Sequence, residues 1–124
     1  MSRASERGAV AVEFAILAPV LVMILLGTME FGRAYNAQIS LTNAAREGVR
    51  VMAVSNNQTS ARTAAKNAAV SLNPGIADAN IIFSTANCTA TAQMTVTVNY
   101  TLSTLTGIAG PFTMKGKGVM LCGG

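Results

Sequence analysis

The residues best placed to do chemistry stand near the two ends of this chain. Near the start, Glu13 interrupts an otherwise apolar block, five residues after Gly8 in the run Gly8-Ala9-Val10-Ala11-Val12-Glu13-Phe14. An acid inside an apolar span needs a partner or a function. Were the chain cut between Gly8 and Ala9, the new α-amino group would lie one helical turn from Glu13. Its positive charge, reinforced by the helix dipole, would suit that carboxylate on a neighbouring chain. The alternative is an acid that simply reaches for the lipid headgroups. Toward the other end, Cys88 and Cys122 lie 34 residues apart with no further Cys and no His. A zinc site and a C-x-x-C redox motif are thereby excluded. In an exported domain such a pair makes one disulfide, worth up to about 4 kcal/mol on the chain-entropy estimate; two free buried thiols are the alternative.

The remaining chemistry is thin. Without His there is no His-based triad or general base, and no P-loop, G-x-S-x-G or H-E-x-x-H run occurs. Glu30 and Glu47 fall on one expected helix about 25 Å apart, too far to act as a catalytic pair. We therefore expect no enzyme, no cofactor, no metal and no small-molecule substrate. Nine Lys/Arg against five acids give a net charge of +4, but the charges are scattered among only six aromatic residues. A nucleic-acid binder would cluster its cations on one face with aromatics between them, so nucleic acid is not expected as a partner.

These residues must be positioned by unusually apolar elements. Hydrophobic residues make up 51% of the 124, and charged residues only 11%, against about 25% in soluble domains. The excess sits in Ala9 to Met29, 21 residues with Glu13 as their one charge. As a helix that is about 31 Å, against a hydrocarbon core of about 30 Å. Its eleven Val, Ile, Leu and Phe residues favour insertion by roughly 3–7 kcal/mol. We read a transmembrane helix over 9–29. Arg3 and Arg7 precede it and Arg33 succeeds it, so charge nearly balances. The Thr/Asn-rich remainder with its two Cys favours an exported C-terminal side and a cytoplasmic N-terminus. A secretory signal peptide fits less well, because the uncharged run Phe14–Met29 is too long and lacks an A-x-A-like site.

No breaker separates the span from the residues beyond Met29. Ala34, Ala37, Leu41, Ala44, Ala45, Gly48 and Met52 continue an apolar stripe at helical spacing. One long helix over 9–54 is expected, amphipathic from 30 onward. Arg46, Glu47 and Arg50 neighbour one another on it, either as a docking stripe or as an ordinary solvated face. Ser55 to Ser60 reads as a turn with N-caps, then a helix over 59–72 with Ala61, Ala65, Ala68 and Leu72 inward, ended by Asn73-Pro74-Gly75. Strict alternation from Met94 to Leu102 marks a half-buried strand within 92–102. Shorter strands are expected at about 80–85 and at 112–122, the latter with Phe112, Met114, Met120 and Cys122 on one face and Lys115 and Lys117 outward. A loop over 106–111 joins the last two. The fold class is α+β: a long helix, a second helix and a roughly three-stranded antiparallel sheet in an exported domain of residues 55–124.

Two stretches carry a family resemblance: the Gly8/Glu13/Phe14 leader and the run Asn43-Ala44-Ala45-Arg46-Glu47-Gly48-Val49-Arg50. Residues 7–54 resemble TadE-like pseudopilins of the tight-adherence (Tad) type IV pilus system. The short Flp-type pilins share only the first stretch, and TadG-like proteins are much longer. The resemblance implies a pilin-like layout, a prepilin leader over 1–8, and cleavage between Gly8 and Ala9 by a prepilin peptidase. It implies that Glu13 and Phe14 serve recognition and assembly. Pro19, which leaves the Ala15 carbonyl without its helical donor, resembles the Pro that loosens or kinks pilin helices. The expected partners are the peptidase, other pilins or pseudopilins, the Tad inner-membrane assembly platform and the lipid bilayer. The expected place is the inner membrane, single-pass, and the pilus after cleavage. The implied role is a minor pseudopilin that primes, caps or joins a pilus supporting adhesion and biofilm formation. An uncleaved membrane-anchored binding module and a filament-forming pilin subunit are the alternatives.

Overall fold

The computed structural model describes residues 3–107 and 110–123. Met1 and Ser2 of the expected leader, Ile108 and Ala109 of the expected loop over 106–111, and Gly124 lie outside the described residues. The chain divides into two compact units, Met1–Arg33 and Ala34–Gly124.

The first element is helix α1, Arg3–Ser55, 53 residues long. It starts six residues before the expected position. Residues 3–8 are compatible with helix, Glu6 in the first turn complements the dipole, and Gly8 weakens a helix by about 1 kcal/mol without stopping it. Pro19 lies inside α1, with helix on both sides. In the first unit the large apolar side chains from Val10 to Phe31 point outward, and this is the one helix among the described residues long and apolar enough to cross a membrane. None of its most apolar stretch is buried, unlike the core helix of a soluble protein. The fold thus has a long apolar N-terminal helix of the kind that anchors a protein in lipid.

From Ala34 onward α1 becomes the spine of the second unit. Its expected stripe is buried at Ala37, Leu41, Ala44, Ala45, Gly48 and Met52, with Ser40, Val49 and Ala53 added. Asn56, in a left-handed conformation at φ +49°, ends the helix, and its N–H reaches the Met52 carbonyl at 2.9 Å. The next residue starts another helix. Asn57 Oδ1 accepts the Ser60 N–H at 3.1 Å and caps α2, Gln58–Ala68. The expected helix over 59–72 is shortened, because turns at Ala69 and Leu72 bring Leu72 and Ile76 into the core. Its inner face is also corrected: Ala61, Ala65 and Ala69 are buried, whereas Ala68 is exposed. The true face lies along an i, i+4, i+8 row.

A short 3-10 turn, Asp78–Asn80, takes the start of the first expected strand, leaving β1 as Ile81–Phe83. β2 is Gln93–Leu102 and β3 is Phe112–Leu121. The sheet has the order β1-β2-β3, antiparallel throughout. Its register sets Ile81 opposite Val98, Val96 opposite Gly118 and Val98 opposite Gly116. As alternation predicts, Met94, Val96, Val98, Tyr100 and Leu102 are buried. On β3 the inward set is Met114, Gly116, Gly118 and Met120, with Cys122 just past the strand. Phe112, expected inward, is 38% exposed at the start of the strand.

The centre of that inward face is the sequence's least obvious feature. A Cβ on Gly116 would fall on the backbone of Leu41 and Thr42, and one on Gly118 would come within 2.7 Å of the Ala45 carbonyl oxygen. β3 therefore lies directly on the main chain of α1. On the α2 side, a Cβ at Gly48 would stand 3.3 Å from the Ala65 Cβ. Small residues let the helix approach both neighbours closely, and the core is thin as a result.

Candidate functional site

Three groups of sequence-predicted residues occupy different places. Gly8, Ala9, Glu13 and Phe14 lie on the exposed first part of α1. Ala9 and Glu13 are one turn apart, so an amine created at Ala9 would be a near neighbour of the carboxylate. The Gly8–Ala9 bond is itself helical here. A peptidase acting on it would have to unwind the opening turns, and Gly8 is the weakest helix former among them. Farther along, Thr28 Oγ1 donates to the Ile24 carbonyl at 2.8 Å, and Arg33 faces the Glu30 carboxylate at 3.7 Å. Glu30, just beyond the apolar stretch, is the most buried acid in the first unit.

The second group is the charged stripe. Arg50 donates from Nε and Nη2 to the two Glu47 carboxylate oxygens, three residues away on α1. That bond holds the Glu47 carboxyl below the usual carboxylate range and raises the Arg50 guanidinium further. Arg46 makes no ion pair among the described residues and is exposed. All three residues line an open groove of about 930 Å³, whose walls are Ala64, Asn67 and Ala68 of α2 and Val119 and Met120 of β3.

The third group is the cysteine pair. Cys88 and Cys122 form a disulfide with Cα atoms 5.4 Å apart. Two backbone contacts frame it. The Cys88 N–H donates to Asn56 Oδ1 at 2.6 Å, and the Gly123 N–H donates to the Ala53 carbonyl at 3.0 Å. The loop after β1 and the end of β3 are thus fastened to the C-terminal end of α1.

A fourth cluster carried no motif. Arg62 on α2 donates from Nη1 to the carbonyls of Asp78 and Ile81 and lies over the Phe83 ring, 4.9 Å from its centre. Lys66 pairs with the Asp78 carboxylate. That bond, aided by the charge of Arg62, holds the Asp78 carboxyl below its ordinary value. The only hint in the sequence was the placing of Arg62 and Lys66 one turn apart, off the apolar face. For Gly116 and Gly118 the signal was available: two glycines at i, i+2 in a strand mark a close backbone approach.

Among the described residues no group of three or more His, Cys, Asp or Glu could hold a metal ion. Residues 8–50 match the family model described as TadE-like protein. No curated protein matches the chain, and no solved structure matches it.

Proposed function

Residues 8–50 belong to the TadE-like family, a structural rather than catalytic one, and from that premise we propose that the protein is a minor pseudopilin of a tight-adherence pilus. A role in Tad pilus assembly is consistent with that membership. The finer reading is that α1 anchors the subunit in the inner membrane with Arg3 and Arg7 on the cytoplasmic side. A prepilin peptidase removes residues 1–8, and the second unit is exported. Glu13 then meets the new amine of Ala9 on a neighbouring pilin or pseudopilin, where low dielectric strengthens the pair, and Phe14 completes the recognised stretch. Pro19 loosens the helix as the subunit leaves the bilayer for the assembly platform. The subunit primes, caps or joins the pilus and so supports adhesion and biofilm formation.

The observation that carries this reading is the position of Gly8, Glu13 and Phe14 at the head of an apolar helical stretch, the most apolar part of which is unburied, within the family match. The helical state of the Gly8–Ala9 bond favours a second reading, an uncleaved anchored binding module. Intact mass of the membrane-bound protein separates them: the pseudopilin starts at Ala9, the anchor at Met1. Glu13→Ala is expected to leave cleavage intact and to abolish pilus assembly. Normal pili from that variant would refute the pairing role.

A further inference from the structure

β3 is an edge strand, and its open side is defined by the hydrogen bonds around it. The Cys122 N–H points back to the Ala92 carbonyl at 2.8 Å, so the even-numbered residues of β3 exchange bonds with β2. By the antiparallel alternation, the odd-numbered residues turn their N–H and C=O groups away from the sheet. The Lys115 carbonyl fits this rule, for it accepts from Gln38 Nε2 of α1 at 2.8 Å. Beyond that contact, the open edge from Lys117 to Leu121 borders the groove whose floor is the Arg46-Glu47-Arg50 face of α1. Val119 is 46% exposed there.

Charge decides what this edge can accept. Both acids of the second unit are engaged, Glu47 with Arg50 and Asp78 with Lys66. Arg62 is occupied by two backbone carbonyls and the Phe83 ring. The other cations of that unit, Arg46, Lys115 and Lys117, make no ion pair among the described residues, and all three lie on or beside the edge. A second copy of this chain would bring to the pairing a β3 with the same two lysines and no acid. Like charges opposite one another in a ladder are destabilising, and lysine on an edge strand is a known guard against self-pairing. An acidic strand meets the opposite sign at the same positions.

We propose that the Lys117–Leu121 edge of β3 and the adjoining groove bind an extended acidic segment of a different protein, added as a fourth strand with the carboxylates of its outer face toward Lys117. Backbone pairing supplies affinity and the flanking cations supply selectivity. This surface does not depend on whether the leader is cleaved.

The test uses the full chain in phosphatidylcholine nanodiscs, which add no net charge. The probe is a fluorescein-labelled, end-capped octapeptide of alternating Glu and Val. One companion peptide replaces every Glu by Lys; another keeps the sequence but has every amide N-methylated, so its charge is intact and its ladder is lost. The acidic peptide should bind saturably, at least about tenfold tighter than the N-methylated companion, the worth of one or two backbone hydrogen bonds, and tighter than the lysine companion by a similar factor because that peptide sets like charge against Lys117. Lys117→Glu should weaken it by a similar factor while protease resistance of the second unit is unchanged. Equal binding of the N-methylated peptide would reduce the surface to a diffuse charge effect and overturn the proposal. Equal binding of the lysine peptide, or no saturable binding of the acidic one, would overturn it as well.

Discussion

Helix α1 contains two regions of opposite character. In its first part the large aliphatic residues face outward: Leu21 is 58% exposed, as are its neighbours to a similar degree. In its second part Leu41, Val49 and Met52 are buried, set among Ala37, Ala44, Ala45, Gly48 and Ala53. Large side chains on the outside of the first part reverse the rule for a soluble helix, which the second part obeys. The difference teaches that one secondary structure can be suited to two surroundings. Bulky residues on the first part present an apolar surface of the kind that lipid accepts. Small residues on the second let a strand and a helix come within contact distance of the helix main chain.

That contrast can be broken most severely at β3. Gly116→Val would drive a branched side chain into the Leu41 main chain, where neither partner can yield. The expected outcome is loss of the folded second unit, at or beyond the roughly 1–3 kcal/mol usual for overpacking, read as lost trypsin resistance of the full chain in detergent. Next comes a matched pair of deletions. Leu41→Ala should lower stability by about 2–5 kcal/mol, whereas Leu21→Ala should leave the denaturation midpoint of the second unit unchanged. Equal effects in guanidinium titrations would contradict the contrast between the two parts. Cys88→Ser removes the staple and should cost about 2–4 kcal/mol, again without touching the first part of the helix.

The smallest effect concerns Asp78. Hydrogen bonding from Lys66 depresses its folded-state pKa below the unfolded value of about 3.9. Its contribution is therefore present above that unfolded value and is lost as pH falls through the depressed folded one. Asp78→Asn should lower the melting temperature slightly at neutral pH. The gap between variant and parent should close as the pH is taken below about 4. A gap that stayed constant would show that the ion pair contributes nothing.

The elements with strong periodicity are legible in the residues themselves. The long helix, its Ala37–Leu41–Ala44–Met52 stripe and the alternating strand from Met94 to Leu102 all come from spacing alone. The disulfide came from composition, because two cysteines without a His or a further Cys, in a domain expected to be exported, have few other uses. What spacing could not supply was tertiary choice. Ala68 and Ala69 are equally apolar, and only the packing of the core selects Ala69 for burial. Asn56 and Asn57 look interchangeable, yet one ends a helix and the other begins the next. Phe112 has the side chain of a core residue but sits at a strand end, 38% exposed. Of the candidate site, Arg46, Glu47 and Arg50 were visible as a stripe. The groove beside them needs β3, and β3 reaches it only because two of its inward residues have no side chain.

The seam between that strand and the helix is made of main chain on both sides at Gly116 and Gly118. Main-chain atoms are common to every amino acid, so the spacing of this joint is indifferent to what the alternate, outward positions carry. Residues 113, 115, 117 and 119 could be rewritten wholesale while the chassis beneath kept its dimensions. Such an arrangement lets a lineage exchange the face it shows to others without redesigning the body that carries it.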